Sequence, residues 1–240
     1  SEQVSLSPNG THLVLMIKKT QEQREKSDIM PHYIQEDGRI AAIDARRRVA
    51  DAEPVEHQLW LLNTESGKAK QLQFNKLPGF NDDVLAEVKR ENAARLGIEY
   101  TPNRLPRDIH LQMNWGAVAP EIQWNNTGEQ VAVMLEAWDN KDRWLVTVDL
   151  EKAKLITQHR LHDDAWISYR FNEFGWLNNS DTLYFVSEEN GYANLFIKPL
   201  EGKYTALAEG KFEVSNLQLT RNDQFIYFEA NLTHPSVYEV

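Results

Sequence analysis

Residues 174–203 read FGWLNNSDTLYFVSEENGYANLFIKPLEGK. A Trp-led strand, an Asn-Asn-Ser-Asp turn and a strand from Thr182 to Ser187 come first. A Glu-Glu-Asn-Gly turn, a strand from Ala193 to Leu200 and a Glu-Gly-Lys turn follow. Asn, Asp and Gly tolerate the left-handed backbone that tight antiparallel turns require, so these thirty or so residues read as one meander. Residues 204–207 supply a fourth strand.

Other parts of the chain repeat the unit. Val4 to Lys18 reads as a hairpin about Ser7-Pro8-Asn9-Gly10, and Gln58 to Phe74 adds two strands after a charged excursion over 20–57. A second unit takes Ala117 to Trp124, an Asn125-Asn126-Thr127-Gly128 turn, Gln130 to Ala137, Trp144 to Leu150 and Lys154 to His159. A fourth takes Val214 to Leu219, Phe225 to Ala230 and Val237 to Val240. The recurring Trp124 and Trp176, and the turns ending at Asp181 and Asp223, give a period of about 40–50 residues with four short strands in each, which is the signature of a propeller blade.

The expected fold is therefore all-β: a partial β-propeller of about four blades of four antiparallel strands. The blades run over approximately 3–75, 115–160, 172–208 and 212–240, with insertions at 19–57 and 76–112. One helix is expected near residues 82–97. Its N-cap is sought at Asn81-Asp82-Asp83 and its stop at Gly97. Four blades are too few to close a ring, so an open arc is expected. Such an arc leaves apolar blade faces uncovered, which favours a homo-oligomer.

Composition narrows the function. The 240 residues are 41% hydrophobic and 10% aromatic, with seven Trp and eight Tyr, which suits a folded, strand-rich protein. Basic residues number 26 against 36 acidic, a net charge of −10, which argues against a nucleic-acid partner. Arg46-Arg47-Arg48 is the one basic cluster, and it reads as a solvated loop. No apolar run approaches the roughly 20 residues that span a bilayer, so no membrane partner is expected. With no cysteine, disulfides, thiolate metal sites and a Cys nucleophile are excluded. Periplasm and cytoplasm are both compatible with that, the periplasm being favoured.

None of the eleven glycines forms a Gly-x-Ser-x-Gly elbow, and no phosphate-binding Gly loop or His-Glu-x-x-His helix is present. No catalytic residue, metal or cofactor is therefore expected. His159, His162, Asp163 and Asp164 are the densest set of potential ligands, but read first as a polar inter-blade loop. Glu188-Glu189 suits acid–base work or capture of an amino terminus, though a solvated hairpin tip is the simpler reading. Glu87 and Glu91 read as an exposed helix face. Of Trp115, Trp124, Trp144, Trp166 and Trp176, most read as inter-blade core.

DNKDRW (139–144), DDAWI (163–167), NEFGWL (172–177) and SEENGY (187–192), in that order, resemble the propeller domain of the prolyl oligopeptidase family. The upstream MPHYIQEDGRI, RRRV and LPG (77–79) point to its bacterial dipeptidyl peptidase IV-like branch. The resemblance implies a parent serine exopeptidase. Its α/β-hydrolase domain, absent from these residues, carries the triad, and its propeller gates entry of short peptides. It also implies that Tyr169 and Arg170 line the substrate pocket. A TolB-like propeller acting as a protein-interaction scaffold is the competing reading. A propeller glycosidase is a third, and needs two acids facing one pocket.

Overall fold

The computed structural model describes residues 2–18, 29–45, 57–102, 107–112 and 120–240. Arg46-Arg47-Arg48, Trp115 and the beginning of the strand expected from residue 117 lie outside them. β1 (Glu2–Leu6) and β2 (His12–Lys18) form the expected hairpin. β3 (Ile29–His32) and β4 (Ala41–Asp44) then pair as a separate two-stranded sheet within the first insertion. The sequence reading saw no strands there, because the eight residues lack the alternation of a half-buried strand. β5 (His57–Asn63) and β6 (Ala69–Leu72) complete a four-stranded sheet in the order β1-β2-β5-β6.

The helix α1 (Ala86–Leu96) ends, as read, on left-handed Gly97 (φ 66°), whose N–H returns to Ala93 and Ala94. Its start differs. Leu85 is the N-cap and no side chain caps it. Asp83 lies two residues earlier, where its carboxylate takes Lys89 Nζ at 2.7 Å and the Tyr100 hydroxyl at 3.2 Å. Only Ala93 of the helix is buried.

The second sheet holds β7 (Ile109–Leu111), β8 (Ile122–Trp124), β9 (Val131–Ala137), β10 (Asp142–Asp149) and β11 (Lys154–His162). β7 was not foreseen. It and β8 share one edge of β9, with β7 opposite Leu135–Ala137 and β8 opposite Val131–Val133. The third sheet is the quoted stretch: β12 (Phe174–Trp176), β13 (Thr182–Ser187), β14 (Asn194–Pro199) and β15 (Thr205–Ala208), in sequence order. The fourth has β16 (Val214–Leu219), β17 (Ile226–His234) and β18 (Val237–Glu239).

The sheets stack face to face in chain order, and strand alternation sets how. Val131, Val133, Leu135 and Ala137 of β9 pack with Val14, Met16, Leu59 and Leu61 of the first sheet. The intervening Ala132 and Met134 pack with Phe174, Leu183, Phe185 and Phe196 of the third. Val186 and Leu195 then meet Val214 of the fourth. A strand covered on both faces is apolar at nearly every position, which is why all seven residues of β9 are buried. The molecule is a partial β-propeller.

The repeated Trp and turn residues connect neighbours. Trp124 Nε1 donates to Ser5 Oγ at 3.1 Å, and Trp176 Nε1 donates to the Gln123 carbonyl at 2.9 Å, so each inner-strand Trp reaches back one sheet. The turns form a matching ladder. Asn125 Nδ2 donates to Asp181 at 2.8 Å, and Asp223 accepts the backbone and side-chain N–H groups of both Asn178 and Asn179 at 2.7–2.9 Å.

Burial alone would raise the Asp223 carboxyl, but these donors outweigh it and hold it below its ordinary value. Asp223→Ala should cost about 1–2 kcal/mol in urea unfolding. Because the folded value is depressed, this contribution is present above the ordinary carboxylate pKa and fades as pH falls below it. The wild-type and variant stability curves should therefore converge in acid. A constant gap down to acid unfolding would contradict the ladder.

Candidate functional site

At the end of the sheets opposite the turn ladder, the loop from Asp163 to Glu173 carries the chain from β11 to β12, beside the turn after β9 and the turn after β13. It is fastened from below. Arg143 and Glu136 face each other across the β9–β10 hairpin, in register, on the face that meets the third sheet. Arg143 Nε and Nη2 donate to Glu136 Oε1 at 2.9 and 2.7 Å. Nη1 and Nη2 donate also to the Phe171 and Ser168 carbonyls, at 2.9 and 2.6 Å. Both side chains are buried. These carbonyls flank Tyr169 and Arg170, so one guanidinium holds the segment from both sides. Ile167, itself buried, adds an N–H bond to the Asn140 carbonyl at 2.7 Å.

The sequence-derived pair Tyr169 and Arg170 is thereby presented at the surface. Tyr169 and Trp166 are exposed, their ring centroids 6.3 Å apart, and the Arg170 guanidinium lies 5.6 Å over the Phe171 ring. The Glu-Glu turn is only partly the solvated tip expected of it. Glu188 is half-buried. The Ser168 N–H reaches its carboxyl, yet Oε2 is buried without a partner among the described residues. Burial is the largest influence and raises its pKa, with Asp163 and Glu213 adding to it, against the pull of Ser168 and Arg143. Glu189 Oε2 accepts from His159 Nε2 at 2.6 Å, which places the imidazole proton on that nitrogen. The His159 ring packs on Phe185 and Tyr204, at 4.6 and 5.2 Å. Desolvation dominates over Glu189 and keeps His159 below its ordinary pKa.

The four polar residues read as an inter-blade loop find separate partners. His159 goes to Glu189, while His162 Nδ1 meets Asp142 at 3.0 Å and its Nε2 meets Asp164 at 3.3 Å. Among the described residues, no group of three His, Cys, Asp or Glu side chains converges as a metal centre. Glu87 and Glu91 are exposed on α1. Trp144 and Trp176 are core, Trp124 is half-buried between sheets and Trp166 alone of the described four faces solvent.

The sequence reading missed Asp142. Fully buried at the start of β10, it accepts Arg107 Nη2 at 2.6 Å, Arg160 Nε at 2.7 Å and His162 Nδ1. It also missed the Glu136–Arg143 pair. The available signal was two opposite charges seven positions apart across the turn at Asp139-Asn140-Lys141, each beside a run of apolar strand residues. Clefts of about 670 and 720 Å³ open at the other, turn-bearing end, sharing His12 and Asn63, and hold none of the residues singled out above.

Residues 114–240, over half of the chain, match the family model of the dipeptidyl peptidase IV N-terminal region. The chain belongs to that family. Its fold is similar to the crystal structure of Porphyromonas gingivalis dipeptidyl peptidase 4, with a TM-score of 0.60 at 13% identity, covering 96% of this chain and 27% of that one. A Bacteroides ovatus structure assigned as a dipeptidyl aminopeptidase IV gives 0.55 at 13% identity, with 95% and 29% covered. The dipeptidyl peptidase IV-type segment thus spans less than a third of the solved chains it resembles. No curated protein matches it in sequence.

Proposed function

We propose that this propeller segment is the substrate-gating portion of a serine exopeptidase of the dipeptidyl peptidase type, inactive by itself. A C-terminal α/β-hydrolase domain supplies the chemistry and short peptides are the substrates. In this reading the four sheets are successive blades, approximately 3–75, 115–160, 172–208 and 212–240, and 19–57 and 76–112 are insertions. The family match supports the parent class, and the missing nucleophile elbow supports inactivity of these residues alone.

The observation that carries the site is the loop end. Tyr169 and Arg170 sit on a segment that a buried guanidinium holds at both flanks, which is the rigid support that a pocket wall requires. Glu188 beside it has a buried oxygen with no partner among the described residues, suited to a peptide α-ammonium.

The test is made in the complete enzyme. Tyr169→Ala with Arg170→Ala should raise KM for dipeptide-releasing substrates about tenfold while kcat changes less. Glu188→Gln should lower kcat/KM about 10–100-fold for peptides with a free amino terminus and leave N-acetylated ones unaffected. Unchanged kinetics in both variants would remove this end of the propeller from the substrate pocket.

A further inference from the structure

At the loop end, where β5 of the first sheet meets β7 of the second, three buried polar atoms have no hydrogen-bond partner among the described residues: His57 Nδ1, His110 Nε2 and Gln112 Oε1. His57 opens β5, His110 is the middle residue of β7, and Gln112 follows two positions along the same face. The two imidazole centroids are 5.8 Å apart, edge to face. We propose that His57 and His110 form a binding site for a borderline transition-metal ion such as Zn²⁺ or Ni²⁺, with Gln112 Oε1 as a third donor and solvent completing the shell.

Four observations support the assignment. Two imidazoles that share an ion at Zn–N distances of about 2.0–2.1 Å have ring centres roughly 5–6 Å apart, which matches the observed separation. His110 Nδ1 lies 2.6 Å from the Leu111 carbonyl, which must accept its proton, so the lone pair is left on Nε2. A histidine held through its other nitrogen by a backbone carbonyl is the usual arrangement of a metal ligand. His110 and Gln112 are 2% and 4% exposed, so bulk water does not compensate their free atoms. Paired imidazole nitrogens are, finally, donors that suit Zn²⁺ and Ni²⁺, and the amide oxygen does not set that preference.

The surroundings set the strength. Burial, then His110 and Lys18, push His57 down to about 4, so it stays neutral and available near pH 7. The same Lys18 charge opposes a cation. Trp138 closes the far side of the His110 ring at 5.2 Å, and Glu136, opposite His110 in register, is committed to Arg143. With two imidazoles and no carboxylate, the site should be of the micromolar, exchangeable kind rather than a structural centre. A single water bridging the same atoms is the competing occupant, and titration separates the two.

The experiment is calorimetric titration of the 240-residue chain with ZnCl₂ and with NiCl₂ at neutral pH. One saturable site is expected. His57→Ala and His110→Ala should each weaken it at least about tenfold, and His162→Ala, on the opposite edge strand of the second sheet, should leave it unchanged. Should His110→Ala fail to fold, the half-buried His57→Ala decides, with its thermal melt as the folding control. Absence of saturable binding for both metals, or binding that survives His57→Ala, overturns the site.

Discussion

Arg143→Ala is expected to lower the unfolding free energy by about 3–5 kcal/mol, because it leaves the Glu136 carboxylate buried and uncompensated. The cost has two separable parts. One is the stranded charge; the other is the two loop carbonyls, Ser168 and Phe171, that lose their donor. Replacing both charges together, as Glu136→Leu with Arg143→Met, should recover most of the loss in urea unfolding, since a buried pair is often exchangeable for apolar residues of similar volume. It should not re-fasten the loop. Limited proteolysis between residues 163 and 173 should therefore be faster in the double variant than in the wild type, even where stability is restored. Equal cleavage rates would show that the sheets alone hold the loop.

Asp142→Ala should be as damaging, again by about 3–5 kcal/mol, because it removes the shared acceptor of two guanidiniums from a fully buried position. Arg107 keeps the bidentate Asp139 carboxylate, at 2.8 and 3.0 Å, and its bond to the Gly79 carbonyl at 2.7 Å. Among the described residues, Arg160 keeps only the more exposed Asp82 at 3.2 Å. The damage should therefore concentrate at Arg160 and the Pro78-Gly79 segment packed against it. A Cβ on Gly79 would clash with the Arg160 guanidinium, and Trp144 Nε1 donates to the Pro78 carbonyl. Hydrogen exchange at residues 77–82 reads this out. Faster exchange there than across the third sheet is expected in Asp142→Ala, and a uniform increase would mean that Asp142 acts on global stability alone.

The two predictions mark where the sequence could and could not be read. The meander of residues 174–203 was legible because its Asn, Asp and Gly turns and its alternating strands are local. The same signals gave Gly97 as the helix stop. β7 was not legible, since three residues carry too little pattern, and its partner β9 is buried on both faces and so shows no alternation. The charged excursion hid β3 and β4 for a related reason: their residues are exposed on both sides.

What the sequence by itself determined is the repeat: four antiparallel units with Trp and turn residues in phase, the absence of a nucleophile elbow, and motifs that resemble one peptidase branch. All of these follow from residue type and spacing along the chain. What only the tertiary structure decided is which groups meet. Glu136 and Arg143 pair because a hairpin folds them into register, and Glu188 is part-buried because another sheet's loop descends on it. Asp142 gathers cations from segments far apart in the chain, and His57 comes to face His110 because two sheets stack. Burial and partnership of polar groups are properties of that stacking, and spacing along the chain does not encode them.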